Sequence, residues 1–67
     1  MSRITKVETE LRIRERCVAV FIYHGTGEVF EHRVPYSELP EGIDLTSWYA
    51  YALCTKKAKE AFRKEKP

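Results

Sequence analysis

Seven consecutive residues, Cys17-Val18-Ala19-Val20-Phe21-Ile22-Tyr23, are apolar. A β-strand alternates its side chains between two faces, so a strand built from this run is apolar on both. The whole chain has 67 residues. A chain of that size buries only about 60% of its unfolded surface and has one small core. It cannot cover both sides of a sheet from its own material. One side of this strand is therefore expected to meet a partner, with a second copy of the chain as the simplest candidate.

The flanking pattern predicts the rest of a sheet. Residues 6–14 alternate strictly, with Val7, Thr9, Leu11 and Ile13 on one side and Glu8, Glu10, Arg12 and Arg14 on the other. Arg14-Glu15-Arg16 reads as a short turn into strand two, residues 17–23. His24-Gly25-Thr26-Gly27 is a hairpin signal, and strand three runs from Glu28 to Val34. Pro35 and Pro40 then interrupt the chain. Asp44 or Thr46 can cap a helix that continues to about Lys64, with basic residues in its last turns. A competing reading makes Trp48–Cys54 a fourth strand and lets Thr55 cap a shorter helix. The first reading gives an α+β fold, a three-stranded antiparallel meander with one C-terminal helix packed on one face. Residues 1–67 then form one small domain.

Register decides which residues lie under the helix. Pairing Tyr23 with Glu28 and Ile13 with Cys17 puts Val7, Leu11, Ile13, Cys17, Ala19, Phe21, Tyr23, Phe30 and Val34 inside. On the helix, Ala50, Tyr51, Cys54, Ala58, Ala61 and Phe62 form the facing stripe, flanked by Trp48 and Leu53. The opposite sheet face then holds Val18, Val20, Ile22 and Val29, bordered by Glu10, Arg12, Glu31 and Arg33. Such an apolar stripe between charged borders suits a two-fold interface, where basic ends meet acidic ends. In that arrangement Val20→Glu would give a folded monomer. Tyr49, among cations on the outer helix face, is a candidate anchor in the same partner interface.

Chemistry of other kinds finds little support. The cysteines, Cys17 and Cys54, are too few for a disulfide scaffold, and no close Cys or His pair suggests zinc. A Cys-His nucleophile would need an orienting third group and a pocket. No catalytic residues, metal or cofactor are expected, and the chain is read as a non-enzyme. No signal-peptide pattern opens it, and no apolar run approaches the ~20 residues of a membrane span. The expected setting is cytoplasmic, with reduced thiols.

Two functions remain. The first is a small protein-binding module acting as an adaptor, regulator or inhibitor, homodimeric through the open sheet face. A compact stand-alone chain of this kind suits a phage or mobile-element accessory protein. The second is nucleic-acid binding through Lys56, Lys57, Lys59, Arg63 and Lys64. The predicted β-β-β-α order resembles, in architecture only, the DNA-binding domains of phage-type integrases and plant AP2 factors. That resemblance implies groove reading by the sheet, where Glu8, Glu10 and Glu31 would repel phosphates.

Overall fold

The computed structural model describes residues 3–65. Strand β1 (Ile4–Arg12), strand β2 (Cys17–His24) and strand β3 (Glu28–Pro35) are followed by a 3-10 turn, Tyr36–Glu38, and helix α1 (Trp48–Glu65). The strands form one antiparallel sheet in the order β1-β2-β3, and α1 packs on one face of it. This is the α+β meander-plus-helix architecture that the apolar periodicities predict. Residues 48–54 are helical, so the fourth-strand alternative does not occur. No helix among the described residues is long and apolar enough to cross a membrane.

Both turns differ from the expected lengths by one residue, and β2 turns over as a result. His24 pairs with Glu28, so the second hairpin loop is Gly25-Thr26-Gly27. Gly25 and Gly27 both have positive φ, 60° and 96°, which residues with a Cβ seldom adopt. On the other side Arg12, rather than Ile13, pairs with Cys17. The first loop therefore spans residues 13–16 and is closed by the Arg16 N–H donating to the Ile13 carbonyl at 3.1 Å. A one-residue slip exchanges the two faces of a strand. Val18, Val20 and Ile22 consequently lie under the helix and are buried. The expected inside residues Cys17, Ala19, Phe21 and Tyr23 lie on the open face. Ile13 is in the turn and 71% exposed.

The helix stays where the pattern puts it. Ala50, Cys54 and Ala58 are small, spaced by four and buried, so α1 settles closely onto the middle of the sheet. Phe62 fixes the far end, with its ring centroid 5.5 Å from Phe30 and 4.8 Å from His24. Val34 and Leu39 complete the core at the other flank. Trp48, expected to border that core, is 77% exposed. The helix is capped by neither expected residue: Ser47 Oγ accepts the Ala50 N–H at 3.1 Å. Asp44 instead shapes the approach, accepting the Thr46 N–H at 2.9 Å and the Thr46 hydroxyl at 2.7 Å.

The face exchange makes a sharp prediction. Val20→Glu places an unpaired carboxylate in the core, at a cost of at least ~3 kcal/mol in a domain of small total stability. Its far-ultraviolet circular dichroism should be that of an unfolded chain. Val29→Glu, on the open face, should retain the helical spectrum. A folded Val20→Glu variant would overturn the register.

Candidate binding groove

The open sheet face is roofed by its own charges. Its cross-strand rows are Lys6-Tyr23-Val29, Glu8-Phe21-Glu31, Glu10-Ala19-Arg33 and Arg12-Cys17-Pro35. Glu10, Arg12, Val29, Glu31 and Arg33 thus sit on the expected face. Val18, Val20 and Ile22 do not, because the slip of β2 moves them into the core. Arg12 lies over the sheet: its Nε is 2.8 Å from Glu10, its Nη1 3.3 Å from Glu31, and its guanidinium 5.7 Å from the Phe21 ring centre. Arg33 Nε donates to Glu31 at 3.0 Å, and Lys6 Nζ sits 3.5 Å from Glu8 and 5.6 Å from the Tyr23 ring. The Arg33 guanidinium, with help from Arg12, holds the Glu31 carboxyl below its ordinary range. The Tyr23 hydroxyl, with Lys6, does the same for Glu8. A partner covering this face would have to desolvate the whole network. The valine stripe on which the sheet-face dimer rested is absent from it.

The unsatisfied surface is on the other side. α1 sits over β2 and β3; of the helix-facing residues of β1, Ile4 and Val7 pack against the core margin and those after them are left uncovered. Val7 is half-buried, Thr9 exposed and Leu11 40% exposed. A groove runs between them and α1. Near the helix centre it has a volume of about 580 Å³, floored by Val7 and Thr55 and walled by Trp48, Tyr51, three cations (Lys56, Lys59 and Arg63) and one carboxylate, Glu60. It continues past Tyr51 into a smaller depression of about 310 Å³ over Thr9, Leu11 and Val18. Trp48 stacks on Tyr51, with centroids 5.1 Å apart and planes inclined by 25°. This aromatic pair stands at the rim with the outer Trp48 ring in solvent. Tyr49, 62% exposed, follows the same outer stripe of the helix as Lys56 and Arg63 without lining the groove.

The structure divides the five expected nucleic-acid contacts. Lys56, Lys59 and Arg63 line the groove. Lys57 and Lys64, seven residues apart, occupy the opposite flank of α1. Lys57 Nζ there lies 3.9 Å from Glu38. Among the described residues no carboxylate lies within ion-pair distance of Lys56, Lys59 or Arg63. The cations of the sheet face are neutralised; those of the groove share its wall with Glu60 but form no ion pair among the described residues, and they outnumber it three to one.

The groove could have been anticipated from dimensions. Strands are ~4.8 Å apart and a helix with its side chains is ~10–12 Å across. One helix set close to a central strand cannot also cover both flanking strands. Thr9, polar in the middle of the β1 inner row, marked the less buried flank.

The remaining titratable groups have structural places. His24, read as a turn residue, is buried at the end of β2 against Phe62. Its Nδ1 lies 3.3 Å from Glu28 Oε2 but is not aligned for a hydrogen bond. His32 lies at the core margin beside Phe30. Cys17 and Cys54 are both buried free thiols on opposite sides of the sheet, which keeps them from pairing with each other. Burial pushes the Cys54 thiol up, against a smaller opposing pull from Lys57. Among the described residues no group of three His, Cys, Asp or Glu side chains is placed to hold a metal ion.

Two measurements check these environments. Glu31 is depressed in the folded state, so its contribution to stability is present above the ordinary carboxylate value of 4.5 and disappears as pH falls through the lower folded value. Wild type should therefore melt above Glu31→Gln at neutral pH, and the two melting temperatures should converge in acid. A gap that persists in strong acid would assign the effect to packing instead. Separately, both thiols should react with an aromatic disulfide reagent only at the rate of unfolding. A fast native phase would contradict the burial. Comparison of the chain with protein-family models, curated proteins and solved structures finds no match.

Proposed function

We propose that the chain is a small non-enzymatic protein-binding module whose working surface is the groove between α1 and β1. The observation that carries this reading is the partly uncovered helix-facing row of β1, Leu11 above all, beside the Trp48-Tyr51 stack whose outer ring is exposed. Apolar area left open next to rigid aromatics is the usual composition of an interface centre. The module acts by occupying a partner surface, as an adaptor, regulator or inhibitor. It works in a reducing compartment such as the cytoplasm, where Cys17 and Cys54 remain thiols. The partner is a different molecule rather than a second copy. A two-fold joint at the β1 edge would set Lys56, Lys59 and Arg63 towards the same three cations of its mate.

Nucleic acid is the second reading, and the three unpaired groove cations favour it. Exposed aromatics beside a basic groove are also how single strands are held. Immobilised wild-type protein and Trp48→Ala, whose side chain supports no core contact, should be exposed to nuclease-treated lysate of the native host. The protein-binding reading expects a protein retained by wild type and lost from Trp48→Ala. Equal retention by both, or retention of nucleic acid alone when nuclease is omitted, would overturn it. The nucleic-acid reading expects retention that falls steeply with added salt.

A further inference from the structure

We infer that β1 receives an extended segment of the partner as a fourth strand, one that carries acidic side chains at alternate positions facing α1. This rests on the protein-binding reading above and specifies how the groove is filled.

The two sheet edges are unequal. β3 ends at Pro35, runs into the 3-10 turn, and is roofed by Phe62 and Leu39. β1 offers nine residues, Ile4–Arg12, with no proline, and its only irregularity lies between Ile4 and Lys6. An edge strand presents a row of unpaired backbone groups, and proteins that keep such an edge idle usually block it with charged side chains, proline, bulges or inward charges. The charges of β1, Lys6, Glu8, Glu10 and Arg12, all lie on the open face, and the inward residues, Ile4, Val7, Thr9 and Leu11, carry none.

Spacing and charge define the segment. An added strand would lie ~4.8 Å beyond β1, beside α1 and within reach of its extended Lys and Arg side chains, and its same-face residues would repeat every ~7 Å. Lys59 and Arg63 are one helical turn apart, ~6 Å along the axis, with Lys56 ~4.5 Å before them. Two alternate carboxylates on the new strand can therefore meet this row, and an apolar residue between or beyond them can cover Val7 under Tyr51 and Trp48. A helix laid in the groove could reach the same cations but would leave the β1 backbone edge unpaired. Strand addition satisfies the edge, the apolar floor and the cations together.

The test uses the folded protein against a phage-displayed library of random linear peptides, with enriched peptides resynthesised. Strand addition expects enriched sequences that alternate apolar residues with Asp or Glu. Their binding should slow hydrogen exchange of the outward-pointing β1 amides. It should weaken by about tenfold or more in Lys59→Glu/Arg63→Glu and stay unchanged in Lys57→Glu/Lys64→Glu, with circular dichroism confirming that both variants fold. Peptides that bind through the groove without protecting β1 would overturn the strand mode and leave the protein-binding reading standing. Failure to enrich any peptide would overturn the inference. So would β1 amides already protected in a free protein of doubled solution mass, which would make a second copy the occupant. Binding of labelled oligo-dT through the same cations, with no peptide bound, would overturn the inference and the protein-binding reading together.

Discussion

The close approach of Ala50, Cys54 and Ala58 to Val18, Val20 and Ile22 governs the rest of the molecule. Small residues at every fourth position let the helix sink onto the central strand, and β-branched side chains fill the space between. That contact is tight because it is narrow. A helix centred over β2 and leaning towards β3 has Phe62 to reach Phe30 and His24, and the loop adds Leu39 beside Val34. On the β1 side only Ile4 and Val7 reach the core margin, and Thr9 and Leu11 stay exposed. The same interaction that forms the core thus opens the groove.

Strand identities, order and the helix were legible because their periodicities are unambiguous: β1 alternates, and α1 repeats small or apolar residues at spacings of three and four. The facing of β2 was not, because both of its faces are apolar and the pattern alone cannot choose between them. The choice fell to loop lengths. A loop of residues 24–27 and one of residues 25–27 use the same glycines, yet they give opposite faces. A chemical distinction within β2 was nevertheless available. Val18, Val20 and Ile22 are purely aliphatic, whereas Phe21 and Tyr23 present π faces that can carry cations. In the fold they do so, beneath Arg12 and Lys6. An aromatic flanked on neighbouring strands by Arg or Lys tolerates an open face better than a valine, and that asymmetry marks which side goes inside.

The candidate site was legible only in part. Five lysines and arginines near the end of the helix were visible as a group, but their division into two flanks follows from where the core stripe falls. Lys56, Lys59 and Arg63 come to line one groove only because α1 leaves part of β1 uncovered beside them. Tyr51 was assigned to the core-facing stripe and Trp48 to its flank, since large aromatics at helical spacing usually belong there. They instead form a stack at the rim, because the helix is too near β2 to admit them beneath it.

Charge is partitioned by the same geometry. The formal net charge of +2 is small, but it is unevenly spread. On the sheet face Arg12 and Arg33 share Glu10, Glu15 and Glu31 in one network, so that surface presents paired ions to solvent. Exposed pairs of this kind contribute little stability. Their larger effect is to occupy the cations and shield Phe21 and the small residues beneath. On the groove side the cations have no such partners and lie beside uncovered apolar area. An anionic, partly apolar ligand gains on both counts there and on neither at the sheet face. In the proposed reading, the side that binds is therefore set by which carboxylates the chain has already used.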